Sequence, residues 1–109
     1  MAVAITQPAK QRRVYLNGAR TFDIFKVAFD ASYPTGGEGL TAANLDLDSI
    51  DLVIAPPAGG YVFEYDYTNS KLLAYYGNYD AADGPLIEVP NATDLALIAT
   101  RILVIGEKA

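Results

Sequence analysis

Apolar and polar residues alternate along much of this 109-residue chain with a period of two, the spacing that puts every second side chain on one face of a strand. The clearest case is Gly59 to Gly77, GGYVFEYDYTNSKLLAYYG. There Tyr61, Phe63, Tyr65 and Tyr67 share one face and Val62, Glu64 and Asp66 the other, while Thr68-Asn69-Ser70 supplies a polar turn before a second aromatic run. The pattern predicts a β-hairpin whose Tyr61, Tyr65 and Tyr67 help to fill a core. A second hairpin is predicted with Arg13 to Leu16 and Arg20 to Phe29 as strands. Asn17-Gly18 is its tight two-residue turn, because both residue types tolerate positive φ. In the second of these strands Phe22, Ile24 and Lys26 alternate with Phe25, Val27 and Phe29. Neither face is cleanly polar, so one suits a sandwich interior and the other a second buried surface.

Ile50 to Ala55 is a continuous apolar strand stopped by Pro56-Pro57, Leu86 to Val89 a short one, and Ile98 to Gly106 a long one broken only by Thr100 and Arg101. Tyr33 to Gly39 (YPTGGEG) and Asn78 to Pro85 read as loops by composition. Thr41 ahead of Ala42-Ala43-Asn44-Leu45 predicts a capped helical turn or two, and Asn91 to Leu95 a further capped turn. The sum is about seven short strands without an amphipathic helix, which is the signature of an all-β, antiparallel β-sandwich, jelly-roll-like in character. Residues 1–12 are small, polar and proline-interrupted. They predict a flexible N-terminal arm, loose or added as a strand at an edge, ahead of a single β-sandwich domain over 13–109.

Composition sharpens this picture. A hydrophobic fraction of 51% against 19% charged exceeds what one small core needs, and suggests that some apolar surface is buried between subunits. The absence of cysteine and histidine removes disulfides, thiolate and imidazole metal sites and any Ser-His or Cys-His nucleophile, and leaves the redox compartment unspecified. Charge is unevenly placed: the first twenty residues carry Lys10, Arg12, Arg13 and Arg20 and no acid, whereas the rest sets four basic residues against all 13 acids, for a net −5. An acidic body argues against nucleic-acid backbone binding. The basic start is an arm that docks on an acidic partner or a strand with a solvated face. Met1 to Thr6 is too short for a signal-peptide core and no apolar run reaches membrane-spanning length, so a soluble protein made in the cytosol is expected.

Glu64 and Asp66, two apart on one strand, are the one carboxylate pair that could run glycoside hydrolysis. The segment Glu64-Tyr65-Asp66-Tyr67-Thr68-Asn69 partly resembles the E-x-D-x-x-E strand of jelly-roll β-glucanases, but Asn69 stands where the second glutamate belongs, and tryptophan platforms are missing. Surface charges opposite Lys71 account for both acids. Asn44, Asp46 and Asp48 imitate the opening of a calcium loop, yet Ser49 replaces its glycine and Ala55 its closing glutamate. Asn91-Ala92-Thr93 matches a glycosylation sequon and is better read as turn capping, and Gly36-Gly37-Glu38-Gly39 lacks the Lys-Ser/Thr ending of a phosphate loop. No catalytic residue, cofactor or metal is therefore expected. The candidate partner contacts are the basic Lys10, Arg12 and Arg13 and the surface tyrosines Tyr75, Tyr76 and Tyr79.

Three segments together carry a family likeness. Val27-Ala28-Phe29-Asp30-Ala31-Ser32-Tyr33-Pro34-Thr35-Gly36-Gly37-Glu38, Gly59-Gly60-Tyr61-Val62-Phe63-Glu64-Tyr65-Asp66-Tyr67 and Ala92-Thr93-Asp94-Leu95 resemble small structural proteins of tailed bacteriophages. Those proteins often carry a TFDSSYPTGGE-LT loop, a GYVFEYD-TNKKL hairpin and an ATDLS turn before a final apolar strand. The resemblance covers about residues 12–106, and Leu97-Ile98 departs from it where more polar residues are usual. It implies a β-sandwich or jelly-roll that decorates a capsid, often as a homotrimer between capsomers, without catalytic residues. The expected function is that of a non-enzymatic capsid decoration (cement) protein bound to the major capsid protein of the virion. A tail, fibre or head–tail junction protein and a carbohydrate-binding or glycoside-cleaving module are the alternatives.

Overall fold

A computed structural model of the chain describes residues 4–6, 14–18, 20–77 and 85–108. Among these it forms nine strands: β1 (Ala4–Thr6), β2 (Val14–Asn17), β3 (Arg20–Ala28), β4 (Glu38–Gly39), β5 (Ser49–Ile54), β6 (Val62–Asp66), β7 (Lys71–Tyr76), β8 (Ile87–Glu88) and β9 (Ala99–Glu107). All pairings are antiparallel, and they build two sheets packed as an all-β sandwich, as the alternation predicts.

The first sheet is organised on β3 and β9, which pair without interruption from Arg20↔Glu107 to Ala28↔Ala99. β5 covers the other edge of β9, with a bulge between Ile50 and Leu52 that turns Asp51 outward. Gly106 lies beneath that bulge, where any side chain would run into the Ser49 carbonyl. β1 and β2 share the free edge of β3, facing its two ends. Of the expected arm only Ala4–Thr6 lies among the described residues, where it is this edge strand. The second sheet is the β6–β7 hairpin, with β4 and β8 sharing the outer edge of β7.

Alternation decides what faces inward. From the first sheet Phe25, Val27, Val53, Ile102 and Val104 enter the core, and from the second Phe63, Tyr65, Leu72 and Ala74 meet them. Phe29 and Phe63 stack across the interior with ring centroids 5.2 Å apart. Loop residues Tyr33, Leu40, Leu45, Leu47, Val89 and Leu95 close the remaining space. The inner face of β3 is less apolar at its start than expected, since Thr21 and Asp23 are also buried.

Three local expectations are corrected. The first hairpin turns one residue later than Asn17-Gly18, because Asn17 still pairs with Arg20 and the turn begins at Gly18, φ +63°. The central hairpin turns through Tyr67–Ser70, one residue earlier than expected. Asp66 draws the turn back, its Oδ1 accepting from the Thr68 and Asn69 N–H groups at 2.9 and 3.1 Å. Tyr67 therefore leaves the core face and is 51% exposed, its ring edge-on to Tyr65. Around residue 93 no helical turn forms; Ala92 at φ +67° makes a tight turn instead.

Candidate functional site

On β6 the side chain of Glu64 points outward to solvent, opposite Leu73, and Asp66 lies opposite Lys71. Asp66 is committed to its turn: beyond the two backbone donors, its Oδ2 accepts from Asn69 Nδ2 at 2.8 Å. These bonds, the Asn69 amide first, hold its pKa below the usual carboxylate value. Among the described residues Glu64 meets only the Tyr75 hydroxyl, which donates to its Oε1 at a long 3.5 Å. The two acids thus differ in role, one a staple and the other a surface charge beside a tyrosine.

The calcium-like segment is likewise spoken for. Asn44 Oδ1 accepts from the Thr41 N–H at 2.9 Å while the Thr41 hydroxyl accepts from the Asn44 N–H at 3.3 Å, a reciprocal cap on the single 3₁₀ turn Ala43–Leu45. Asp46 ends that turn at φ 57° and pairs with Lys108 Nζ at 3.2 Å. Leu45 and Leu47 point into the core between these oxygens. Among the described residues no three histidine, cysteine, aspartate or glutamate side chains converge as metal ligands. In the sequon, Asn91 Oδ1 accepts from the Thr35 N–H and the Thr93 hydroxyl donates to the Pro90 carbonyl, so both polar groups bind loops.

The most developed polar cluster is one that sequence reasoning passed over as plain loop. Tyr33 is buried, and its hydroxyl donates to Glu88 Oε2 at 2.7 Å while accepting from the Ala74 N–H at 3.1 Å. Glu88 Oε2 also accepts from the Gly36 N–H at 2.8 Å. Burial first, and the Glu88 carboxylate in addition, push the Tyr33 pKa far above its usual 10. Gly37, at φ +100°, passes so close to the Leu72 carbonyl that a Cβ would lie 2.8 Å from its oxygen. Beneath this loop Glu38 is wholly buried next to Asp30; no N–H or hydroxyl group among the described residues donates to either Glu38 oxygen or to Asp30 Oδ2, and the two acids bond to each other when one holds a proton. Burial, then the Asp30 charge, raise Glu38 to about 7, against a smaller pull from Lys71. A tyrosine ahead of Pro-Gly-rich loop residues was the one available hint of this cluster. Its partners lie about fifty positions away.

Of the expected partner contacts, Lys10, Arg12, Arg13 and Tyr79 lie outside the described residues. Tyr75 and Tyr76 are neighbours in one strand and consequently face opposite ways: Tyr76, partly buried, packs against the core. Tyr75 lines an open groove of about 440 Å³ on the second sheet with Val62, Glu64, Pro85 and Leu86. Burial first, then Glu64, raises its hydroxyl pKa.

Larger apolar surface lies elsewhere. On the outer face of the first sheet, Phe22 and Ile24 of β3, Leu103 and Ile105 of β9, and Leu52 and Ile54 of β5 are side by side in register. Leu52 is 39% and Ile54 48% exposed. Leu97 stands out from its loop 99% exposed, between the buried Leu95 and the half-buried Ile98. The departure Leu97-Ile98 is thus resolved into one residue projecting and one packed on the core.

No protein-family model, curated protein or solved structure matches the chain.

Proposed function

We propose that this chain is a non-enzymatic structural protein of a phage virion, a capsid decoration protein that binds the major capsid protein and stabilises the shell. The observation that carries the reading is the six-residue apolar field on the outside of the first sheet, with Leu97 as an apolar tip. A domain of this size does not need such surface for its own core, and exposed apolar patches of this kind mark association. The phage-like wording of three segments supplies the setting, and in the fold those segments form the Tyr33 loop, the central hairpin and the Ala92 turn, all of them structural. Many weak contacts repeated over a lattice sum to a strong hold on the shell.

The test is the position and copy number of the chain in intact particles. Hundreds of copies with density on the outer shell are expected. A dozen or fewer would move the chain to the tail, a fibre or the head–tail junction, and absence from purified virions would end the proposal. Glycan binding or hydrolysis lost in a folded Glu64→Gln variant would instead favour the carbohydrate module.

A further inference from the structure

The apolar field of the first sheet has a charge arrangement that limits what can cover it. Its outward positions fall into four rows across the strands. The row at one end holds Arg20, Asp51 and Glu107, tied together by ion pairs of Arg20 with Asp51 at 3.0 Å and with Glu107 at 3.5 Å, net −1. Two apolar rows follow, Phe22–Ile105–Leu52 and Ile24–Leu103–Ile54. The far row holds Lys26 directly opposite Arg101, net +2. Like charges facing each other across a strand pair are unfavourable, and neither cation has an acidic partner among the described residues.

Along β9 the outward sequence is Arg101, Leu103, Ile105, Glu107. It reads positive, apolar, apolar, negative, and is antisymmetric about Val104. A two-fold axis lying in the interface and crossing β9 at Val104 would set Leu103 over Ile105 of a second copy and Arg101 over its Glu107. The same operation sets Ile24 over Phe22 and Ile54 over Leu52, and puts each +2 row on a −1 row. Lys26 then faces the copy's Arg20, whose charge Asp51 and Glu107 already offset. Two such faces stack as aligned sheets do, about 10 Å apart and rotated by roughly 30°.

We infer that a second copy of this chain covers the outer face of the first sheet, forming a two-fold, sheet-on-sheet homodimer centred on Val104. A contact between identical faces closes at two copies, so this interface does not build the trimer that the family likeness implies. A nine-residue strand is about 30 Å long and four strand widths about 19 Å, so the face projects somewhat under about 600 Å². That is the lower end of what stable partners bury on each side. This inference shares with the proposed function the premise that the apolar field is covered, and nothing else.

Sedimentation equilibrium over micromolar concentrations tests it. A reversible monomer–dimer equilibrium is expected. Arg101→Glu raises the dissociation constant at least about tenfold, and adding Glu107→Arg to the same chain restores it, because the swap exchanges the two ends of the antisymmetric row. Should a charge variant fail to fold, Ile54→Lys, at a half-exposed position, tests the same face and is expected to be a folded monomer by circular dichroism and sedimentation. A wild-type monomer or trimer, or a charge swap without rescue, overturns the inference. A monomer that still binds capsids would overturn it and leave the proposed function standing, and a dimer absent from virions would do the reverse.

Discussion

Glu38 is a carboxylic acid in a place that disfavours its charge, wholly buried beside Asp30 and with a pKa of about 7 in place of the ordinary 4.5. An acid with a raised folded-state pKa holds its proton in the folded chain where the unfolded chain has lost it. The stability tied to it is complete below pH 4.5 and is lost as pH rises to about 7. The expected outcome is a urea midpoint that falls between pH 5 and pH 8, by an amount corresponding to roughly 2–3 kcal/mol. Glu38→Gln flattens that dependence and is the more stable protein at pH 8. Tyr33 gives a second prediction at this scale. Tyr33→Phe keeps the ring but strands the Ala74 N–H and removes a donor from Glu88. Loss of about 2 kcal/mol is expected in denaturant melts, since a buried donor is left without a partner. Neither residue's role was legible in the sequence. Burial of Glu38 depends on Asp30 and on Leu72 across the β4–β7 pair, and Tyr33 depends on Glu88, all set by tertiary contacts that a local pattern does not carry.

At the scale of elements the sequence was far more readable. β3, β5, β6, β7 and β9 sit where the alternation and apolar runs predict them, because a half-buried strand leaves a period-two record in its side chains. The turns were less so: the pairing of Asn17 with Arg20 and the bonds of Asp66 move them by one residue, through hydrogen bonds and not through hydrophobicity. The same distinction explains why Tyr67 was misplaced and what it does instead. Its hydroxyl accepts from the Val53 N–H at 3.0 Å, on the edge of β5 that no strand covers among the described residues. A paired edge donor is one fewer site for strand addition. Tyr67→Phe is expected to lose about 1 kcal/mol and to speed aggregation of the warmed protein, measured by light scattering. Gly106→Ala is expected to be far worse, because its methyl group meets the Ser49 carbonyl inside the β5 bulge. Loss of the folded state at moderate temperature by circular dichroism would show it.

For the whole molecule, the fold class followed from the strand pattern, whereas the order of strands within the sheets did not, since register between distant segments is written in no single window. The candidate surface was half legible: two mixed faces on β3 announced a second covered surface, but only the pairing of β3, β9 and β5 shows six apolar residues gathered there. Leu97 gives the prediction proper to this scale. Leu97→Ser removes a side chain that is 99% exposed, so the melting temperature is expected to stay unchanged while retention on capsids in a pelleting assay falls several-fold.

The longest ladder among the described residues joins Arg20–Ala28 to Ala99–Glu107, strands about seventy positions apart. A ladder of that kind must close a loop containing almost everything else before it gains anything, and such topologies fold slowly, in milliseconds to seconds. During synthesis, at about 5–20 residues per second, β3 emerges several seconds before its partner β9. For that interval the edge of β3 that β9 will occupy has nothing to pair with, although β1 and β2 precede it on the other edge. The chain is at its most vulnerable while it is being made, and its first sheet is completed by the last strand to arrive.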